Sequence, residues 1–408
     1  MSEAGVVILG NGHAGVSVAE QLRRKKYQSA VTLIGAEAGL PYQRPPLSKQ
    51  YLKGEWDEAR LLQRNAEFYR NNDIRLIAAD PVISIDPSAH RLELKSGATL
   101  PWDKLVLATG SRLQKLEIPG ADAEGVVYLQ NREQAEALKS AMRSARRAVV
   151  IGGGYIGLEG AAALALAGLD VTLVNRSSEL LARSASLPVA HWTQRRHENQ
   201  GVAFRLGEQV AEIRTADNRV SGVRLANGEV LETDLVLVGI GVKPDTDLAE
   251  SIGLACADGV LVDQQGVTSH PDILAAGDCT RFNHPLCGEA IHLESIQNAV
   301  EQGKRVAATL MGEEGIYDAV PWFWSDQYEA KLQIAGIAQG HDLEVIRGDE
   351  HAERFSVFCY AQRRLVAVES INAPADHMLA RQLLKAGASP LPDDATNPEF
   401  NLRSALPS

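Results

Sequence analysis

The chain opens on continuous apolar runs, not alternating ones. Residues 6–9 (VVIL) read as a strand buried on both faces, as in a parallel sheet. Gly10-Asn11-Gly12-His13-Ala14-Gly15 follows, and residues 16–24 then place Val16, Ala19 and Leu22 on one face of a helix. Residues 31–34 (VTLI) form the next strand. The same order returns downstream: a strand at 148–151 (AVVI), the turn Gly152-Gly153-Gly154-Tyr155-Ile156-Gly157, a helix over 158–167 and a strand at 171–174 (VTLV).

The repetition extends further. Gly97 and Gly228 each sit in a hairpin-type turn after Ser96 and Asn227. Six residues later stand Asp103 and Asp234, each leading into an apolar strand, 105–107 and 235–237, and each strand closes on a glycine, Gly110 and Gly241. From about residue 320 the pattern changes. Residues 332–334 and 355–358 alternate as half-exposed strands do, 365–368 reads as a third strand, and a helix over 375–385 places Met378, Leu379 and Leu383 on one face. The Pro- and Asp-rich tail after Ser389 reads as an irregular surface segment.

One G-x-G-x-x-G is a common turn, but two copies in the same context specify a fold. In each, the first glycine allows a tight turn, the second lets the backbone approach a pyrophosphate, and the third lets helix and strand pack. The helix start then offers N–H groups and a positive dipole end to phosphate. Gly10, Gly12, Ala14 and Gly15 form the first candidate cradle, and Gly152, Gly154, Ile156 and Gly157 the second, with Gly241 closing its sheet. Two dinucleotides in one chain suggest a flavin and a nicotinamide, a hydride acceptor and a hydride donor.

Composition narrows the alternatives. With 408 residues, 45% of them apolar, the chain has material for two or three domains. Its net charge of −11 argues against a protein that wraps nucleic acid. The longest charge-free run, residues 4–19, contains Asn11, His13 and four glycines, so no membrane span is expected, nor a secretory leader. The four cysteines, Cys256, Cys279, Cys287 and Cys359, contain no C-x-x-C and no disulfide framework, which points to a cytoplasmic protein with free thiols.

Five motifs together carry a resemblance: Arg44-Pro45-Pro46-Leu47-Ser48-Lys49, Ala108-Thr109-Gly110, Gly152 through Glu159, Ala276-Gly277-Asp278-Cys279, and Pro321-Trp322-Phe323-Trp324-Ser325-Asp326-Gln327. From Val6 to about Asp376 the chain resembles the FAD-dependent ferredoxin reductases of bacterial oxygenase systems. The resemblance implies an α/β protein of glutathione-reductase-like architecture. An FAD-binding Rossmann-like domain takes residues 1–109 and 245–319, an NAD(P)H-binding one takes 110–244, and a C-terminal α+β domain takes 320–408. It implies FAD contacts at Ala14, Lys49, Val82, Arg132, Asp278 and Ile296, with Asp278 on the ribityl chain and Arg44 near the adenosine half. Lys49 and Glu159 are implied as an ion pair that orients the redox rings; a plain structural salt bridge is the competing reading.

Two positions depart from the usual dinucleotide pattern, which puts an acid at the end of the second strand to bond a ribose hydroxyl. In the first repeat Gly35 and Ala36 precede Glu37, the candidate ribose ligand. In the second the position is Asn175, followed by Arg176, with Arg183 nearby. Asn can bond a 2′-hydroxyl, whereas either arginine can take a 2′-phosphate. The resemblance favours NADH and leaves NADPH open.

No cysteine lies in the segment where disulfide reductases, and single-cysteine oxidases of this architecture, carry theirs. Electrons therefore leave the flavin directly, and the resemblance names a [2Fe–2S] ferredoxin as acceptor. Lys304 and Arg305 are the docking candidates on this acidic chain, against the reading of ordinary helix charges. Trp322 and Trp324 floor the flavin site or join the core of the last module, the core being expected for at least one. An oxidase delivering electrons to oxygen or quinone, and a redox-sensitive binding protein like the apoptosis-inducing factors, stand as alternatives.

Overall fold

The computed structural model describes residues 4–407. The chain divides into two compact units. The first takes the chain up to Gln43, Glu58–Arg112 and Val242–Ala319; the second takes Arg44–Asp57, Leu113–Gly241 and the chain from Val320 onward.

The first unit is built on a sheet whose strands run, in spatial order, Ile273–Ala275, Lys104–Leu107, Gly5–Leu9, Ala30–Ile34 and Ile74–Ile77, all neighbours parallel. The period-2 geometry of a strand explains its unbroken apolar runs. Val6, Ile8 and Val106 join a core with residues of the helices His13–Arg24 and Ile296–Leu310. Val7, Leu9, Leu105 and Leu107 join a second core with Ile85, Leu92, Leu94 and Trp102, supplied by the antiparallel strands Val82–Asp86 and Arg91–Leu94 and the loop after Thr99–Pro101. The strands by which the chain leaves and re-enters this unit are tied together, since Thr109 Oγ1 donates to Asp245 O at 2.7 Å and Asp245 N to Gly110 O at 2.9 Å.

The second unit repeats that plan. Its parallel sheet runs Ala203–Leu206, Asp170–Asn175, Arg147–Ile151, Leu235–Val238 and Val126–Tyr128. The repeat holds at the level of single hydrogen bonds. Gly10 N donates to Ile34 O at 2.8 Å, as Gly152 N does to Val174 O at 2.8 Å. Asp103 N reaches Gly5 O at 2.9 Å, and Asp234 N reaches Arg147 O at 3.1 Å. A three-stranded antiparallel sheet of Val210–Ala216, Arg219–Leu225 and Val230–Glu232 takes the place of the first unit's.

The same unit carries an antiparallel sheet ordered Trp322–Gln327, Ala330–Gly336, Arg364–Ile371, Arg354–Ala361 and Leu343–Asp349. Helix Pro374–Ala386 packs on one face through Ala380, Leu383 and Leu384. Helix Leu187–Glu198 packs on the other through Val189 and Trp192.

One expectation is refined here and another corrected. Met378 is 63% exposed, because the buried positions of its helix are His377, Ala380, Leu383 and Leu384 and Met378 lies outside that face. The tail is organised, not irregular: it forms helix Pro392–Thr396 and a 3₁₀ turn at Leu402–Ala405, with Ala395 and Leu402 buried. Its anchor is Arg347, whose guanidinium donates to the carbonyls of Ala395, Asn397, Pro398 and Phe400. Among the described residues no helix is long and apolar enough to cross a membrane.

Candidate functional site

Each glycine turn leaves a strand of its parallel sheet at the carboxyl end and starts a helix. Gly10 and Gly152 take φ of +111° and +110°, which other residues rarely adopt. A Cβ on Gly10 would lie 1.9 Å from Ala108 O, and one on Gly152 2.3 Å from Gly239 O. A Cβ on Gly15 would meet Gly10 O, and one on Gly157 would meet Gly152 O, at 1.9 and 2.0 Å. Gly12 and Gly154 differ from these. A Cβ on either would meet nothing within 4 Å. Each is the N-cap of its helix, and no side chain caps either helix start among the described residues. The two turns are open, backbone-lined cradles with helix N–H groups facing out, which is what a pyrophosphate requires.

Around the first cradle, Glu37 stands half-buried just past strand Ala30–Ile34, and Tyr42 donates its hydroxyl to the Glu37 carboxylate. The Glu37 carboxylate is thereby fixed a few residues past the strand end. The turn carrying Asp278 closes on the same cradle: a Cβ on Gly277 would lie 2.9 Å from Ala14 Cβ, and Gly277 N donates to Gln302 Oε1 at 2.7 Å. His292 binds Asp278 O at 2.8 Å, and the Asp278 side chain is half-buried. Ile296 is the first residue of helix Ile296–Leu310, capped by Ser295, and Val82 begins the antiparallel sheet of this unit.

Around the second cradle, Asn175 ends strand Asp170–Asn175. Its Oδ1 accepts from Gly153 N at 3.0 Å, and its Nδ2 donates to Ser177 O and Glu179 O at 3.0 and 2.9 Å. Both amide protons are thus committed to bracing the loop, so Asn175 holds the cradle's shape. Arg183 is exposed in the following turn, and Ile156 is 43% exposed at the start of helix Tyr155–Leu166. Gly241 is exposed at the end of its strand.

The Arg44–Asp57 segment belongs to this second unit. Arg44 donates to Gln130 O at 2.8 Å, and Arg132 begins the helix that Asn131 caps. Behind the 3₁₀ turn Pro45–Ser48 lies the most concentrated polar chemistry of the unit. Lys49 Nζ is 3.1 Å from Glu159 Oε1, with both side chains nearly buried. Ser325 Oγ donates to Oε1 at 2.7 Å and Ser48 Oγ to Oε2 at 2.5 Å, while Asp326 stands 3.6 Å from Lys49. A buried carboxylate with three donors is fully satisfied and geometrically fixed. Ser48, Ser325 and Asp326 are functional candidates that went unassigned in the sequence, although they lie inside motifs already singled out. Their signal was position: each neighbours a residue of this cluster in the chain.

Trp322 and Trp324 are both half-buried, their rings tilted 5.4 Å apart, with Lys49 Nζ 5.9 Å from the Trp324 ring centre. The expectation that at least one is core is therefore corrected: strand Trp322–Gln327 is the edge of its sheet, so neither ring is enclosed. Lys304 is paired with Glu301 at 2.7 Å. Arg305 donates to Glu313 O and Glu314 O, closing the end of its own helix. Lys304 is thus charge-paired, while Arg305, bound to neutral carbonyls, keeps its positive charge.

The cysteines are unbonded, and burial pushes the thiols of Cys256, Cys279, Cys287 and Cys359 up, away from the reactive thiolate. None belongs to the Arg44–Lys49 motif. Among the described residues no cluster of metal-ligating side chains occurs.

Residues 4–303 match the family described as pyridine nucleotide-disulphide oxidoreductase, and residues 322–406 match the reductase C-terminal family. Rhodocoxin reductase of Rhodococcus erythropolis is 43% identical over 98% of this chain and 94% of its own. The crystal structure of the ferredoxin reductase for the CYP199A2 system of Rhodopseudomonas palustris superposes with a TM-score of 0.97 at 42% identity, covering 99% of this chain and 100% of the other. The covalent putidaredoxin reductase–putidaredoxin complex gives 0.96 at 35% identity, over 99% and 98%.

Proposed function

Because the chain belongs to the pyridine nucleotide-disulphide oxidoreductase family and carries the reductase C-terminal domain, we propose that it is an FAD-dependent NAD(P)H:ferredoxin oxidoreductase serving a monooxygenase or ring-hydroxylating dioxygenase. The observation that carries this reading is the pair of open glycine cradles combined with the absence of any cysteine from the Arg44–Lys49 motif. FAD and NAD(P)H would supply the redox chemistry when bound, a hydride donor coupled to an acceptor able to give up electrons one at a time.

We assign residues 1–109 and 245–319 to FAD, 110–244 to NAD(P)H and 320–408 to the C-terminal domain. Gly10, Gly12, Ala14 and Gly15 hold the FAD pyrophosphate, Glu37 the ribose, and Asp278 the ribityl chain. Arg44, Val82, Arg132 and Ile296 complete the contacts. Gly152, Gly154, Ile156 and Gly157 hold the nicotinamide dinucleotide, framed by Asn175, Arg183 and Gly241. Lys49 and Glu159 transfer no proton. Their pair, fixed by Ser48 and Ser325, sets a constant local field where charge moves and keeps the adjoining backbone in one geometry. Each NAD(P)H gives two electrons, so two one-electron [2Fe–2S] acceptors are consumed per turnover. We place the protein in the cytoplasm, where free thiols stay reduced.

The test is direct. The purified protein is yellow, and with NAD(P)H it bleaches a [2Fe–2S] ferredoxin at two per nucleotide. A protein left colourless after incubation with FAD, or one whose electrons go to oxygen in preference to ferredoxin, refutes the assignment.

A further inference from the structure

The two repeats end their second strands in opposite chemistry, and the chain itself supplies the comparison. After strand Ala30–Ile34 stands the Glu37 carboxylate, fixed by Tyr42. A fixed carboxylate accepts from a free ribose hydroxyl and repels a phosphate. After strand Asp170–Asn175 there is no carboxylate at the corresponding place. Asn175 has spent both amide protons on Ser177 O and Glu179 O and one Oδ1 lone pair on Gly153 N, so it keeps a single neutral acceptor where Glu37 presents a charged carboxylate.

Beside it lie two cations. Arg176 follows Asn175 directly and is exposed. Arg183 is exposed in the turn over residues 180–184, and that turn is tied to the cradle because Leu181 N donates to Gly153 O at 3.0 Å. Neither arginine makes a hydrogen bond or ion pair with any described residue, unlike Arg195, Arg196, Arg205 and Arg224 of the same unit, which all pair with glutamates. Of the two acids close to this loop, Glu179 is paired and Glu208 is not, among the described residues. Glu179 has its carboxylate 3.2 Å from His191 Nε2, and Glu208, whose N donates to Asn175 O, lies within electrostatic reach of Arg205. Ser177 is also held, its O accepting from Gly207 N at 3.0 Å, so the loop carrying Arg176 has a defined shape.

We infer that Arg176 and Arg183 form a subsite for a ribose 2′-phosphate, so that the second repeat takes NADPH in preference to NADH. This rests on the assignment of that repeat to the nicotinamide dinucleotide. Arginine presents planar paired donors that match phosphate oxygens, and the site gains over a bare hydroxyl by charge-assisted hydrogen bonding.

Two probes separate this from the parent reading. The full-length, FAD-containing protein is titrated calorimetrically with 2′,5′-ADP and with 5′-AMP, which differ only by the 2′-phosphate. The expected result is a preference for 2′,5′-ADP of about tenfold or more, shrinking at high salt. Arg176→Ala combined with Arg183→Ala abolishes the preference, and the corresponding double Lys variant keeps part of it. In steady state with ferricyanide as acceptor, the ratio of kcat/KM for NADPH to that for NADH exceeds one and falls about tenfold in the double Ala variant. Equal binding of the two probes, or a ratio unmoved by the double Ala variant, overturns the subsite while leaving nicotinamide-dependent turnover intact. Absence of ferricyanide reduction with either nucleotide, with neither probe bound, overturns the dinucleotide assignment together with the subsite.

Discussion

Lys49 Nζ stands 3.1 Å from Glu159 Oε1, and the two side chains are 10% and 5% exposed. A pair so deeply placed has given up its hydration; Lys49 is compensated by Glu159 and by Asp326 at 3.6 Å, and Glu159 by Lys49 and the two serines. Lys49→Met therefore leaves an uncompensated buried carboxylate and costs about 3 kcal/mol or more. The double variant Lys49→Met, Glu159→Gln removes both charges and recovers a substantial part of that loss. Thermal unfolding of the wild type, the two single variants and the double variant measures the coupling; strictly additive losses would show the pair to be incidental.

The glycines of each turn separate into those needed by the fold and those needed by a ligand. Gly10→Ala forces a Cβ into Ala108 O at a backbone angle hostile to alanine, so this variant loses stability or soluble expression. Gly12→Val places its Cβ where no protein atom lies within 4 Å, at an ordinary φ of −72°. It folds with wild-type circular dichroism but fills the first cradle, so it purifies with less flavin. Gly154→Val behaves likewise at the second cradle, keeping its flavin and raising KM for the nicotinamide nucleotide. The ratio of absorbance at the flavin band to that at the protein band distinguishes the two.

Glu369 supplies a pH dependence. It is fully buried on strand Arg364–Ile371, accepting from Ser186 N and Ser186 Oγ at the start of helix Leu187–Glu198. Burial pushes its carboxyl up from the ordinary 4.5 to about 7. The folded state thus holds a proton that the unfolded state has released, so the group's contribution is complete below 4.5 and is lost as pH rises through about 7. Stability falls between pH 5 and pH 8 by up to about 3 kcal/mol from this residue. Glu369→Gln, which stays neutral, flattens that slope. Denaturant midpoints across this range provide the measurement, and an unchanged slope in the variant would assign the dependence elsewhere.

One guanidinium supplies hydrogen bonds to four carbonyls of the C-terminal tail. Arg347→Ala removes every donor that Arg347 offers to the carbonyls of Ala395, Asn397, Pro398 and Phe400. The chain beyond about residue 390 becomes the first site of limited proteolysis, while the two cradles keep their ligand binding. Digestion followed by mass spectrometry should locate the new cut near Asn397.

The parallel sheets, the cradle helices and the hairpin turns were legible because each is written in local periodicity, and because the chain writes them twice. What escaped was held by partners far along the chain. The order in the tail depends on Arg347, about fifty residues earlier, and nothing around Pro392 or Pro398 announces it. The place of Asn175 at the end of its strand is legible in the sequence, whereas the hydrogen bonds of its amide with Gly153, Ser177 and Glu179 are set by the loop. Lys304 and Arg305 carry charges that the sequence displays, whereas their ties to Glu301 and to the carbonyls of Glu313 and Glu314 are set by the fold. The Lys49–Glu159 pair was anticipated, yet its serine supports were not, since Ser48 and Ser325 lie far apart in sequence. The assignment of individual ligand contacts rested on resemblance throughout, because a half-buried Val82 or Ile296 carries no chemical signature of its own.

The two parallel sheets also differ in when they can be finished. The second sheet draws all five strands from a continuous stretch between Val126 and Val238, whereas the first ends on Ile273–Ala275, after the whole second sheet has been written. A growing polypeptide emerging at roughly 5–20 residues per second can complete the later sheet while the earlier one still lacks its border. The earlier four strands must then wait, with Lys104–Leu107 unpaired along one side, until the segment near Ile273 arrives. Nascent chains released short of that segment should therefore display an open strand margin prone to association, which assigns the burden of chaperone protection to the part of the molecule made first.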